Sequence, residues 1–336
     1  MTKFRSALKT LIVLIFSFII LIFLGEFVFN STYQFPSKIE YGVTFSPGYA
    51  SSLKLDWKKT YVRILDELEV RNLRVPGYWD VVEKDQGKYD FSEVDFMLDE
   101  AGRSGAKVIL VLGEKQPRWP ECQIPTWAKS LKLQDRQQRL LEFIQRTVEK
   151  YKDHPAVWAW QVENEPFLPF FGENCDPGDE KFLKTEINLV KSLSNKTIIV
   201  SDAGEPGAWI VPMQTSDVFG TTLYRTVYNP VIGYFSFPFL PYLYNIKSQI
   251  VRIFAPNNQK TIIVELQAEP WLSGGDLTRN LNKQLKQFPS DKMKSYLDYA
   301  RKTGFDEIYL WGVEWWYFMA YSGYPEYLQY AETLFR

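Results

Sequence analysis

Histidine and cysteine are almost missing from this chain of 336 residues: there is one histidine, His154, and there are two cysteines, Cys122 and Cys175. Sites built from several histidines, zinc ribbons and metal-binding cysteine clusters are thereby excluded. A Ser-His-Asp triad survives only if His154 serves it. An excess of either charge is missing too, since 39 Lys+Arg face 40 Asp+Glu for a net charge of −1. Nucleic-acid binding needs a basic footprint, so no nucleic-acid partner is expected. No tandem repeat or low-complexity tract is visible. Charged residues make up 24% and hydrophobic ones 46%, which argues against wholesale disorder. What the chain has in plenty is aromatic: 16% of residues, with 11 Trp. That is more than packing usually requires, and stacking surfaces for a flat ligand such as a sugar ring are one explanation.

The N-terminus is a separate object. Lys3, Arg5 and Lys9 precede an uncharged stretch from Thr10 to Gly25, almost wholly apolar from Leu11 to Leu24. Extended to Phe29 it is about 30 Å long as a helix, enough to span a bilayer. Positive charge lies only on its N-terminal side, which orients residue 1 to the cytoplasm and the rest outside. A cleaved signal peptide has a similar outline, but bulky Phe27, Val28 and Phe29 follow instead of a small-x-small site. A buried core helix is the plainest alternative. The expected organisation is a cytoplasmic tail over 1–9, a transmembrane anchor over 10–29, a linker over 30–37 and one catalytic domain over 38–336. The membrane is the partner expected for 10–29.

Strand-like and helical runs then alternate. Strands are expected at Tyr41–Phe45, Asn72–Pro76, Val108–Leu112, Val157–Val162, Thr197–Val200, Asp217–Leu223, Thr261–Val264 and Ile308–Trp311. Helical spacing occupies the intervals, as in Phe91, Val94, Met97, Leu98 and Ala101, where Ser92 and Asp95 read as a capping box. A last helix is expected over Glu326–Phe335. Eight strands that are apolar on both faces imply a parallel sheet covered on both sides. The simplest closure is a (β/α)8 barrel. An open doubly wound sheet is the other choice, but no G-x-G-x-x-G follows the first strand.

In such a barrel the chemistry sits at the C-terminal ends of the strands. Those positions hold Arg74 at the second strand, Glu114 after the third, and Asn164 and Glu165 after the fourth. Asp202 and Glu205 follow the fifth, Tyr224 the sixth and Glu265 the seventh; Trp311 ends the eighth. The Asn164-Glu165-Pro166 tripeptide after the fourth strand and Glu265 at the end of the seventh carry a resemblance. In these residues, and in His154-Pro155, Arg74, Tyr224 and Trp311, the sequence resembles clan A of the retaining glycoside hydrolases, a group of (β/α)8 barrels. Residues 161–165 are similar to β-galactosidase-like members and the rest is more cellulase-like. The resemblance extends over about residues 38 to 336.

It implies Glu165 as acid/base and Glu265 as nucleophile. No cofactor is expected, and with one histidine and no cysteine cluster no catalytic transition metal is expected either; a carboxylate-bound calcium is the alternative. Glycosidic cleavage passes through an oxocarbenium-like transition state, so one carboxylic acid must protonate the leaving oxygen while a carboxylate attacks the anomeric carbon. Glu165 must therefore stay protonated near neutral pH. Arg74 and the Tyr224 hydroxyl are the donors available to keep Glu265 ionised. Asn164 is placed to bond the sugar hydroxyl beside the anomeric carbon, and Trp311 to form a stacking floor. A strand-end glutamate that merely caps a helix or pairs with a lysine is the plain alternative. Glu163 and Glu269 are the rival carboxylates. Glu163 would share the face of Glu165 if the strand ran on.

Trp79, Trp119, Trp271, Trp315 and Trp316 all fall in segments after strands, where stacking on sugar and loop packing are the two readings; Trp79 and Trp271 are taken as substrate-binding. Cys122 and Cys175 follow adjacent strands, so outside the cytoplasm a disulfide between them is expected, with two free thiols the alternative. Residues 230–256 are rich in aromatics and proline, and would wall the cleft, rest on a membrane or pack as a long loop leading into a helix near Tyr242. The function expected is a membrane-anchored retaining glycoside hydrolase, an enzyme of O-glycosyl bonds with a carbohydrate partner. A transglycosidase and a non-catalytic carbohydrate-binding barrel are the alternatives.

Overall fold

The structure is a computed structural model and describes residues 17, 20, 24–26, 29, 31, 33 and 35–336, apart from 170, 230, 259 and 272–277. Eight parallel strands close into a barrel: β1 (Glu40–Thr44), β2 (Asn72–Pro76), β3 (Lys107–Leu112), β4 (Val157–Val162), β5 (Thr197–Asp202), β6 (Val218–Leu223), β7 (Lys260–Gln267) and β8 (Glu307–Trp311). Each pairs with its neighbours in sequence, and β1 pairs with β8 to shut the ring. This is the (β/α)8 closure rather than the open sheet. A hairpin of Thr226–Asn229 and Gly233–Ser236 follows β6 and leads to the helix Pro241–Arg252. Most of the expected anchor, 10–29, lies outside the described residues. Among those described, no helix is long and apolar enough to cross a membrane.

Alternation along the strands builds two cores. In β3, Val108, Leu110 and Leu112 join the layer between sheet and helices, whereas Ile109 faces into the barrel with Ala159, Ile199, Val218, Ile262, Val264 and Tyr309. These opposite faces are what a period of two requires. Several amphipathic helices bury one stripe against the outer layer; Leu133–Tyr151 does so with Leu140, Phe143, Ile144 and Val148.

The outer layer also explains much of the tryptophan content. Trp79, Trp160, Trp209, Trp315 and Trp316 are among the largest fully buried side chains. The packing of the shell therefore takes a larger share of the 11 Trp than composition suggests.

Two local breaks in regularity position the site. Thr221 of β6 pairs with Ile263 and Thr222 with Glu265, so β7 carries one extra residue there. Such a bulge re-aims side chains. Simple alternation from Ile262 would turn Glu265 outward; after the bulge Glu265 faces the barrel mouth and Leu266 rejoins the outer layer. At the end of β4 the chain leaves extended geometry, with φ of 60° at Glu163 and 47° at Glu165. Residues other than glycine seldom occupy this region. The expected helix start at Ser92 is also built differently. Asp90 Oδ1 accepts from the Ser92 backbone N–H at 2.9 Å, and the cap position, Phe91, has no side-chain bond, so Ser92 and Asp95 form no capping box.

Candidate active site

Arg74 is the hub. It lies fully buried on β2, pointing into the barrel, and its guanidinium reaches three partners at 2.7 Å: Nη1 donates to Glu265 Oε1, Nε to Gln161 Oε1 and Nη2 to Asn164 Oδ1. Such a fork fixes direction as well as charge. The second oxygen of Glu265 accepts from the Tyr224 hydroxyl at 2.8 Å. Both carboxylate oxygens thus meet donors, one of them a cation.

Glu165 has the opposite surroundings. It is buried, its Oε1 accepts from Thr222 Oγ1 at 2.9 Å, and its backbone N–H donates to Ser201 Oγ at 3.1 Å. Thr222 Oγ1 itself accepts from the Gly204 backbone N–H, which leaves its own proton for Glu165. Oε2 is then the oxygen left to carry an acid proton. Burial, followed by the nearby negative charge of Glu265, pushes the Glu165 carboxyl up to about 7. Asn164 is gripped between Arg74 and Ser201 Oγ, which donates to Asn164 Oδ1 at 3.1 Å.

The rival carboxylates have other attachments. The strand does not run on past Val162; Glu163 turns back and accepts from the backbone N–H groups of Glu114 and Lys115, both at 2.7 Å. Glu269 is ion-paired with Arg118 and accepts from Tyr49 OH at 3.0 Å. Arg118 also pairs with Glu314 at 3.0 Å. Glu114 pairs with Arg136 at 2.9 Å. Asp202 accepts from the backbone N–H groups of Ala203 and Trp209.

The aromatic residues divide. Trp271, Tyr224 and Trp311 meet edge to face at the mouth, with centroids 5.4 and 6.4 Å apart. Phe171 touches Trp271, and half-exposed Trp119 touches Phe171. One face of Trp311 is already covered, because the Arg118 guanidinium lies 3.9 Å from its ring centre and 3.7 Å from that of Tyr49. A sugar has only the other face. Trp79 is a correction. It is fully buried, stacked on Phe143, and donates to Glu83 Oε2 at 2.8 Å. It sits in the short helix Trp79–Val82, facing the shell rather than the cleft. Trp315 and Trp316 are likewise buried in the helix Val313–Tyr321. Cys122 and Cys175 are joined, with Cα atoms 5.4 Å apart.

Sequence reasoning missed Thr222, Ser201, Lys115, Arg118 and Glu121. Thr222 and Ser201 lie within strands, where small polar residues facing inward were there to be read. The other three lie in the loop after β3, which has no period to reveal them.

Comparison with known proteins agrees with this fold. The family model for glycosyl hydrolase family 10 matches residues 74–173, which contain Arg74, Asn164 and Glu165. The chain has the (β/α)8 fold of the clan A glycoside hydrolases. Among curated proteins it is 24% identical to the beta-galactosidase LacZ of Lactobacillus acidophilus over 232 residues, which is 61% of this chain and 34% of that protein. The chain thus spans about a third of the length of the curated relatives it matches. Among solved structures, a family 10 endo-beta-1,4-xylanase from Gloeophyllum trabeum aligns with a TM-score of 0.57 at 13% identity, covering 89% of this chain and 97% of that one. A beta-galactosidase from the haloarchaeon Halorubrum lacusprofundi aligns at 0.55 and 14% identity, covering 81% and 52%.

Proposed function

We propose that residues 38–336 form a retaining glycosidase acting on β-linked glycosides, with Glu165 as acid/base and Glu265 as nucleophile. One observation carries the reading: two buried carboxyls at the ends of β4 and β7 have opposite environments. Glu265 meets Arg74 and Tyr224, while Glu165 meets a neutral hydroxyl and is pushed up to about 7. A carbohydrate-binding surface has no need of such a pair, whereas double displacement requires it.

In the first step Glu265 attacks the anomeric carbon as Oε2 of Glu165 protonates the departing oxygen. In the second, Glu165, now a carboxylate, takes a proton from water, which releases the sugar from Glu265. Asn164 bonds the hydroxyl at C2, a contact that tightens as the ring approaches the oxocarbenium geometry. Transfer to a second sugar in place of water would use the same two steps. The test is a screen of aryl β-glycosides and β-glycans against the full chain, E165A and E265A. Turnover that falls to background in both variants is expected; turnover surviving in E265A would overturn the reading.

Membrane anchoring through residues 10–29, with the barrel outside the cytoplasm, is a further part of the proposal. Three features support it: the basic residues that precede the apolar run, the Cys122–Cys175 bond, which suits an oxidising compartment, and an apolar surface close to the run. Phe29 packs on Tyr242, ring centroids 5.7 Å apart, at the start of a helix that exposes Ile246 and Ile250, with exposed Ile253 just past its end. The full chain is expected to stay with membranes through a carbonate wash. A mature N-terminus near residue 30 would show cleavage instead.

A further inference from the structure

Double displacement uses two carboxyls, and this site holds a third. Glu121 is only 5% exposed, and its Oε2 accepts from Asn164 Nδ2 at 3.2 Å. Its position is built with some care. Arg118 and Glu121 have φ of 81° and 69°, where side-chain-bearing residues are seldom found. The Glu121 N–H donates to Arg118 O, and its carbonyl accepts from Gln116 N–H, both at 2.8 Å. The next residue, Cys122, is bonded to Cys175. Backbone outliers held in this way gather at functional sites, and here the outlier aims a carboxyl at the catalytic pair.

The charges around it do not balance. Burial, then the negative charges of Glu265 and Glu165, push the Glu121 carboxyl up to about 8. Arg74 is committed to Glu265. The Lys115 ammonium donates to the carbonyl oxygens of Glu165 and Leu168, each at 3.0 Å. Among the described residues, no lysine or arginine forms an ion pair with Glu121. With no cation paired to it, Glu121 is pushed toward its neutral form, and a cation brought beside it would restore the carboxylate.

Asn164 tells where that cation would come from. On the glycosidase reading, on which this inference rests, its amide faces the substituent at C2 of the sugar. The same amide donates to Glu121, so Glu121 stands beside that substituent. We propose that Glu121 is the residue that selects the group on C2, and that the site takes 2-amino-2-deoxy β-glycosides, whose C2 ammonium donates to the Glu121 carboxylate. An ammonium brings both a donor and the missing charge. A hydroxyl brings the donor only. An acetamido group brings one N–H, no charge and a methyl group to be housed among carboxyls.

The test compares the full-length protein on 4-nitrophenyl 2-amino-2-deoxy-β-D-glucoside and -galactoside with their 2-hydroxy counterparts, by kcat/KM at neutral pH. A C2 ammonium slows spontaneous cleavage by disfavouring the oxocarbenium ion, so a preference for the amine has to come from the protein. The amino substrates should be favoured by about tenfold or more. In Glu121→Gln the amino-to-hydroxy ratio should fall by about 30-fold or more, and Glu121→Asp should restore part of it. Calorimetry with D-glucosamine and D-galactosamine against glucose and galactose gives a readout that needs no turnover. Cleavage of 2-hydroxy glycosides with a wild-type ratio of one or below overturns the inference and leaves the glycosidase reading standing, whether or not Glu121→Gln folds. Amine binding that depends on Glu121, with no glycoside cleaved, keeps the inference and overturns the glycosidase reading.

Discussion

Arg74 and Glu265 face each other across the barrel interior, Nη1 to Oε1 at 2.7 Å, and the remaining nitrogens of the same guanidinium hold Gln161 and Asn164. One side chain from β2 thus fixes a carboxylate from β7 and the amide beside the carboxyl of β4. A lysine has the charge but not the fork. Arg74→Lys should therefore disturb both ends of the site at once. The expected result is a fall in kcat of about 100-fold, with a lower melting temperature from the imperfectly paired buried charge. Circular dichroism with steady-state kinetics measures both, and a kcat within a few-fold of the parent would show that the three-way grip is dispensable.

A titration follows from Glu165. In the proposed acid role Glu165 works only while protonated, and its carboxyl is pushed up to about 7. Cleavage of substrates with poor leaving groups should fall as pH rises through that value. Glu165→Gln has no proton to lose, so this alkaline limb should vanish. The variant should lose about 10²- to 10⁴-fold on poor leaving groups and far less on activated aryl glycosides, since only the former need the proton. Equal losses on both classes would remove Glu165 from the acid role.

How much of this was legible in the sequence depends on what carries the signal. The barrel was legible because strands buried on both faces are apolar runs, and these runs alternate with helical ones along the chain. Arg74, Asn164, Glu165, Tyr224 and Glu265 were legible as positions, since strand ends meet at one mouth. Their orientation was not. The face of Glu265 depends on an extra residue in β7 that no alternation rule supplies. Glu163 and Glu165 were separated by left-handed turns rather than by depth along a strand. Trp79 misled because a tryptophan just after a strand looks the same whether its short helix turns it to the cleft or to the shell. Glu121 was invisible, since a loop residue beside a cysteine has neither period nor strand end to mark it.

The Cys122–Cys175 bond ties the loop after β3 to the loop after β4, and the first of these carries Arg118 and Glu121. It closes a separation of 53 residues. Chain-entropy arguments put the stabilisation at about 4 kcal/mol. Replacing both cysteines by serine should lower stability by that order in denaturant titrations. It should also raise KM, because the loop beside Glu165 and Glu265 is no longer pinned. Unchanged stability in the double variant would mean that the loop is held by its backbone bonds alone.

The identity of the nucleophile can be settled by stereochemistry and labelling together. Glu265 has both oxygens bonded to Arg74 and Tyr224, while the carboxylate of Glu269 is occupied by Arg118 and Tyr49. Arg118 lies between the rings of Tyr49 and Trp311, so Glu269 belongs to the wall behind Trp311. Attack from Glu265 on a bound sugar, followed by water, involves two inversions and returns the starting anomer. Retaining pairs stand ~5 Å apart, and inverting pairs ~6.5–9.5 Å, leaving room for water between carboxylate and sugar. A 2-fluoro glycoside should label Glu265, and NMR of the first product should show the starting configuration. Glu265→Ala should lose turnover that external azide partly restores, with the product inverted. Glu269→Ala should instead weaken folding, because buried Arg118 is left with Glu314 alone. A label on Glu269 would move the nucleophile four positions along the chain and leave double displacement intact, whereas an inverted first product from the parent enzyme would end the retaining mechanism altogether.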